Sequence, residues 1–129
     1  MRTLEAALDI LRAEAPAAFY RVAGELEGIA VRLEVGEESF GCEATDGRIV
    51  LGPPPGDPQA RVRTDRRTIL ALIDGRSGYL DAVLARDLAV EGQPELLARL
   101  SRAGLAFGEG ALRARRMRSL LDEFRAGSR

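Results

Sequence analysis

Residues 60–100 read ARVRTDRRTILALIDGRSGYLDAVLARDLAVEGQPELLARL, and the period of their apolar residues changes twice. Alternating apolar and polar residues predict a β-strand over 59–64, because successive side chains of a strand point to opposite faces. Apolar residues then recur every three or four positions from 65 to 86, which predicts two helices. The alternation returns over 87–92, and Pro94 suits the first turn of a leucine-rich helix. The segment therefore predicts two strands with two helices between them.

The residues before this segment predict two helices and three further strands. Leucines spaced at i, i+4 and i+7 predict a helix over about 3–13, and Pro16 suits the start of a second, shorter one. From Gly28 the apolar period is two, and tight turns separate the alternating runs. The four prolines of 52–58 exclude a helix or a central strand there. The upstream strands are predicted at 28–35, 38–45 and 47–52.

The residues after the leucine-rich helix predict a hinge and a closing helix. Gly104, Gly108 and Gly110 weaken helical structure, so a hinge is expected over 104–110. A closing helix is expected over about 111–126, with an apolar stripe on one face. The stripe consists of Leu112, Met117, Leu120, Leu121 and Phe124. This stripe is too apolar to be left in water, so the helix is expected to pack against the domain or a partner.

Length and composition predict one globular domain over 1–129. A hydrophobic content of 46% can fill a core, and the chain contains neither an internal repeat nor a linker. The net charge of −1, from 19 basic and 20 acidic residues, does not indicate a nucleic-acid binder. The sequence has no apolar run of transmembrane length and no signal-peptide core at its start, which favours a cytoplasmic protein.

The residues that usually carry chemistry are scarce in this chain. It contains no His, so the commonest acid-base group and metal ligand are missing. Cys42 is the single cysteine, which excludes an internal disulfide, and its place in an alternating strand predicts a small buried apolar residue. The acidic pair Glu37 and Glu38 falls on a turn and is expected to be solvated. We therefore assign no catalytic residue, no metal site and no cofactor. These absences favour a binding protein over an enzyme.

The element order of 60–100 resembles the core of the sterol carrier protein family, the type-two lipid-transfer domains. The resemblance covers 28–103 well and both ends more loosely. Its matching positions are Asp65, Leu72, Gly75, Ala82, Leu88, Val90, Gly92 and Leu100. The resemblance implies an α+β fold, in which helices cover a five-stranded, mainly antiparallel sheet and an apolar tunnel lies between the layers. It also implies binding of fatty acyl chains, sterols, quinones or similar lipids without a cofactor, and the closing helix would then act as a lid.

The resemblance also implies which residues would line the tunnel. They are Phe40, Leu72, Ile73, Tyr79, Leu80, Val83, Leu84, Leu88, Phe107, Met117 and Leu121. Each of them is also compatible with ordinary packed core, because a filled core and a ligand tunnel use the same residue types. Tyr79 is the most suggestive, since a tyrosine hydroxyl can orient the polar group of an otherwise apolar ligand.

Three functions agree with these features. The leading hypothesis is binding or carriage of an apolar small molecule without catalysis, which predicts an unfilled cavity between sheet and helices. The second is an interaction or accessory module, which would use the C-terminal helix to bind a protein partner or a second copy of the chain. The third is a cofactor-free biosynthetic enzyme acting on an apolar substrate, which needs polar groups converging on the pocket.

Overall fold

Two helices, four strands, two helices, one strand and one helix follow each other along the described chain, in an order that the sequence largely predicts. The structure is a computed structural model, which describes residues 2–73, 78–114 and 122. The helices are α1 (Arg2–Glu14), α2 (Pro16–Leu26), α3 (Arg66–Ile73), α4 (Tyr79–Leu84) and α5 (Pro94–Arg113). The strands are β1 (Val31–Val35), β2 (Glu38–Thr45), β3 (Arg48–Gly52), β4 (Ala60–Thr64) and β5 (Ala89–Gly92). None of the helices within these described ranges is long and apolar enough to cross a membrane.

The five strands form one sheet in the order β3-β2-β1-β4-β5. Neighbouring strands pair antiparallel except β1 and β4, which run parallel, with Val31 beside Ala60 and opposite Cys42 on β2. The predicted α+β fold with a mainly antiparallel sheet is therefore confirmed, and the sheet is more accurately described as mixed. The parallel pair forms because the proline-rich loop after β3 carries the chain past β2 and β1, so that β4 lies on the other side of β1.

The predicted strand over 87–92 is two residues too long at its start. The backbone N–H groups of Asp87 and Leu88 both donate to the carbonyl oxygen of Ala82, at 2.9 and 3.2 Å, and so close the end of α4. Arg86 adopts a positive φ of 64° at this turn. Asp87 and Leu88 are thus held by the helix end, and the ladder with β4 begins only at Ala89.

The core lies on one face of the sheet. The inward side chains of β1, β2 and β4 pack with α1, α2 and α5 in a single buried cluster. On β1 and β4 the residues that alternate with them are charged, and Glu34 accepts hydrogen bonds from Arg32 at 3.0 Å and Arg63 at 2.8 Å. Because side chains alternate across a strand, the helices cover one face and the opposite face is polar.

Two side chains fix helix ends in this arrangement. Asp65 accepts a hydrogen bond from the backbone N–H of Thr68 at 2.8 Å and so caps the start of α3. Arg99 of α5 donates to the carbonyl oxygens of Gly24 and Glu27, at 3.3 and 2.7 Å, at the end of α2. A cation at a helix C-terminus satisfies unpaired carbonyls and opposes the helix dipole, so Arg99 stabilises the junction of α2 and α5.

The predicted hinge at 104–110 is wrong, because α5 continues as a helix to Arg113. A Cβ atom on Gly104 would overlap the ring of Tyr79, and one on Gly110 would overlap Leu11 and Ala18. Glycine lowers helix propensity by about 1 kcal/mol relative to alanine, but here it allows close packing between helices. These glycines therefore serve contact rather than bending, and the helix ends instead at its C-cap, Ala114.

This interpretation predicts opposite effects for two substitutions in the same helix. Gly104→Ala should lower the free energy of unfolding by about 1–3 kcal/mol, because the new methyl group meets the Tyr79 ring. Gly108→Ala is the matched control, since a Cβ at Gly108 would have no other atom within 4 Å, and it should raise stability by up to about 1 kcal/mol. Urea unfolding followed by circular dichroism measures both changes, and stabilisation by both variants would contradict the packing role of Gly104.

Candidate functional site

Two adjoining apolar cavities lie between the helices and the inner face of the sheet. Their volumes are about 160 Å³ and about 350 Å³. The lining residues that they share come from α1, β1, α4 and α5, and are Leu4, Leu33, Tyr79, Gly104 and Phe107. Binding pockets for small molecules commonly start at about 300 Å³, so the larger cavity alone reaches the size of a ligand site.

The two cavities are built from different parts of the layers. The smaller one lies over the middle of the sheet, where Val31, Cys42 and Val62 face Leu100 and Ala103 of α5. The larger one extends toward α3 and α4 and is lined by Ile69, Leu72, Gly78, Leu88, Leu105 and Leu112 among others. The helices inserted between β4 and β5 therefore add the larger space to the interior of the fold.

Tyr79 stands at the junction of the two cavities. It begins α4, it is 9% exposed, and its ring packs against the backbone of α5 at Gly104. Tyr79 lines both cavities, and within the described ranges no side chain or backbone group forms a hydrogen bond with its hydroxyl. A tyrosine hydroxyl without a protein partner is available for a hydrogen bond to a ligand.

The ionisable groups of the lining are few. In the smaller cavity, burial and then the charge of Glu43 raise the pKa of the Cys42 thiol to about 11. In the larger cavity, Glu109 lies 3.7 Å from Arg21, and both side chains are 57% exposed. The described residues contain no group of three or more acidic, cysteine or histidine side chains that could hold a metal ion. The lining is thus suited to enclosing an apolar molecule.

The structure brings together four of the eleven residues proposed from the sequence. Leu72 and Leu88 line the larger cavity, and Tyr79 and Phe107 line both. The side chain of Ile73, and all of Met117 and Leu121, fall outside the described residues.

The remaining four residues are not among the lining residues of either cavity. Leu80 and Leu84 are 53% and 81% exposed, because the face of α4 that carries Tyr79 and Ala82 is the buried one. Val83 packs against the small cluster around Tyr79, and Phe40 is buried without lining either cavity. For Leu80 and Leu84 the expectation of an interior position is corrected, whereas Phe40 and Val83 pack in the interior and their contact with a ligand stays a prediction. A helix as short as α4 has no apolar period long enough to reveal its buried face.

Several lining residues were not proposed from the sequence as site residues. Leu4 and Leu33 line both cavities, Ile69 and Leu105 line the larger one, and Leu8 lines the smaller one. Their apolar spacing in helices and strands identified them only as core positions. Periodicity shows which face of an element is buried but gives no sign of unfilled space behind it.

The comparisons with known proteins identify the fold. The sequence matches no protein-family model and no curated protein. Among solved structures, the UbiJ-SCP2 ubiquinone synthesis protein is 20% identical with a TM-score of 0.57, and the match covers 80% of this chain and 87% of that chain. A structure of sterol carrier protein 2 is 15% identical with a TM-score of 0.57, covering 85% and 93% of the two chains.

The chain has the sterol carrier protein 2 fold. The same fold occurs as one part of a larger enzyme. The sec-alkylsulfatase Pisa1 from a Pseudomonas species is 11% identical with a TM-score of 0.50, and the match covers 64% of this chain but only 14% of the enzyme. The matched region is therefore most of the chain in the first two structures and a small part of the chain in the third.

The burial of Cys42 predicts the pH dependence of its alkylation. Since only the thiolate reacts, iodoacetamide should label the folded protein slowly at about pH 8 and much faster as the pH approaches the pKa of about 11. In urea the same thiol should react near its ordinary pKa of about 8.5. Mass spectrometry of timed samples measures both rates. Equal rates for folded and unfolded protein at neutral pH would show that Cys42 is accessible.

Proposed function

We propose that this chain binds or carries an apolar small molecule in the space between its helices and its sheet, and that it performs no chemistry on it. The supporting observation is the 350 Å³ cavity, whose lining is almost entirely aliphatic and aromatic. An apolar pocket of this volume is typical of small-molecule binding sites. The two adjoining cavities then form the two ends of one apolar tunnel.

The chemistry of the lining limits the ligand to a lipid with little polarity. Fatty acyl chains, sterols and quinones all present extended apolar surface, which Leu33, Leu72 and Phe107 can contact. Tyr79 supplies a hydroxyl group for one polar atom of the ligand. The known structures that share the fold include proteins named for sterol carriage and for ubiquinone synthesis, which agrees with this ligand class.

Two leucines of neighbouring helices provide a matched test of the site. Leu72 lines the larger cavity, whereas Leu84 is 81% exposed and lines neither cavity. Leu72→Glu should weaken uptake of the neutral fluorescent probe diphenylhexatriene by on the order of tenfold, because it places a carboxylate on an apolar wall. Leu84→Glu should leave uptake unchanged. Fluorescence titration measures the affinities, and circular dichroism verifies that both variants fold.

Other outcomes of this comparison would count against the proposal. If wild-type protein takes up no probe and releases no apolar compound on organic extraction, the binding function is wrong. If the two glutamate variants bind the probe equally well, the ligand occupies a place other than the larger cavity.

We further propose that the segment after Ala114 closes the larger cavity. Leu112 is 68% exposed at the end of α5 and yet lines this cavity, so the cavity wall is incomplete there. The next residues of the chain, 115–129, carry the predicted apolar stripe with Met117, Leu121 and Phe124. An apolar segment that begins beside an open apolar cavity gains most by covering it.

Removal of residues 115–129 tests this lid. The truncated protein keeps all of α5, so its circular-dichroism spectrum should retain the sheet and helices. Its affinity for diphenylhexatriene should fall by about tenfold, which corresponds to the loss of one buried apolar side chain. Unchanged probe binding would contradict the lid, and the apolar stripe would then be better explained as a surface for a protein partner or a second copy.

A further inference from the structure

A polar pocket of about 380 Å³ lies at the β4–β5 edge of the sheet, and we call it the outer pocket. Its lining combines the end of the proline-rich loop and the start of β4 with the end of β5. The charged residues of this lining are Asp57, Arg61 and Glu91. Arg61 precedes Val62, which lines the smaller apolar cavity, so Arg61 belongs to the outer face of the sheet. The outer pocket is therefore separate from the proposed lipid site.

The loop that forms one wall of the outer pocket is fixed to the sheet at two places. A Cβ atom on Gly41 would lie 2.6 Å from the carbonyl oxygen of Pro53, so this glycine lets the loop rest on β2. At the other end of the loop, Oε1 of Gln59 accepts a hydrogen bond from the backbone N–H of Ala30 at 2.9 Å. The backbone N–H of Gln59 donates to the carbonyl oxygen of Ala30, also at 2.9 Å. The fold itself therefore holds this wall in place.

Arg61 and Glu91 lie opposite each other in the ladder between β4 and β5, yet they form no ion pair. Opposite charges at directly opposed positions of a sheet usually interact. In the part of the chain that the structure describes, neither side chain forms a hydrogen bond, and the Nε atom of Arg61 is buried without an acceptor. The neighbouring Arg32 and Arg63 both pair with Glu34. The half-buried guanidinium group of Arg61 thus keeps its donors for a ligand.

The charges of the outer pocket select the kind of ligand. A simple anion would pair with Arg61 but would meet Asp57 and Glu91 as like charges. A simple cation would pair with the two carboxylates but would leave Arg61 without a partner. A molecule that carries both charges satisfies all three residues. Its anionic group is best a carboxylate, whose two oxygens match the guanidinium fork and whose single charge Arg61 balances, whereas phosphate would bring further negative charge toward the acidic side.

We propose that the outer pocket binds a small zwitterion with a carboxylate and an ammonium group, such as a free amino acid. The carboxylate pairs with Arg61, and the ammonium group pairs with Glu91 and Asp57. This second site lies on the opposite face of the sheet from the two apolar cavities and does not depend on the proposed lipid binding. Because Asp57 and Glu91 are exposed, water screens these ion pairs, and the dissociation constant is expected to be about millimolar.

Three molecules with the same carbon chain test the need for both charges. They are 4-aminobutanoate, butanoate and butylammonium, each titrated at about pH 7, where the amine and the carboxyl group are ionised. Shifts of the backbone amide resonances of Arg61, Glu91 and Gly92 in the nitrogen-15 NMR spectrum of the full-length protein measure binding. The zwitterion should bind about fivefold more tightly than either of the other two, because it gains one more screened ion pair. Equal binding of all three would overturn the proposal.

Charge-neutralising substitutions locate the site. Arg61→Gln should weaken binding of 4-aminobutanoate by about fivefold. Arg63→Gln is the matched control, because Arg63 lies two residues along the same strand on the same face, pairs with Glu34 and does not line the outer pocket. It should bind 4-aminobutanoate as the wild type does. Glu91→Gln should narrow the advantage of the zwitterion over butanoate, because it removes a partner of the ammonium group and a like charge from the carboxylate.

The remaining outcomes keep this site distinct from the lipid site. Absence of any shift with 4-aminobutanoate, or an equal loss of binding in the two arginine variants, would overturn the outer pocket as a binding site. Should Arg61→Gln fail to fold, Glu91→Gln on the exposed edge strand decides the question, since an unchanged preference for the zwitterion in that variant contradicts the proposal. Folded Arg61→Gln should take up diphenylhexatriene as the wild type does, and a matching loss of probe uptake would show that the substitution acts on the fold rather than on the outer pocket.

Discussion

The close approach of α5 to its neighbours is the contact on which both the core and the cavities depend. Its backbone receives the ring of Tyr79 at Gly104, and it receives Leu11 and Ala18 at Gly110. A side chain at either position would hold α5 away from the other helices. Since α5 packs against each of the other four helices and against β5, these two contacts set the distance between the helical layer and the sheet.

The smaller cavity lies where short side chains of the helical layer face short side chains of the sheet. Ala103 on α5 and Cys42 on β2 line the smaller cavity from the helical layer and from the sheet. Small residues allow helices to pack closely, but between a helix and a sheet they leave volume that no neighbouring side chain fills. The larger cavity lies under α3 and α4. Leu72 of α3 and Tyr79 of α4 line this cavity.

The two faces of the sheet divide the physical roles of the molecule. On the outer face, Arg32 and Arg63 both form ion pairs with Glu34. The inner face is apolar, and burial there raises the pKa of the Cys42 thiol. A polar exterior and an interior that excludes charge are the conditions under which a protein can hold a lipid away from water.

The sequence by itself determined the elements and their order, because apolar periodicity and helix-start residues such as Pro16 and Pro94 act over a few neighbouring positions. The mainly antiparallel five-stranded sheet was implied by the resemblance to the sterol carrier protein family. Only the tertiary structure decided that β1 pairs parallel with β4, that Gly104 is a packing contact rather than a hinge, and that Leu72 lines a cavity while Leu84 faces water. The physical reason is the range of the interactions. Which face of a short helix is buried, and whether space remains behind it, depends on side chains from distant parts of the chain, such as Tyr79 against Gly104, and a local pattern carries no record of them.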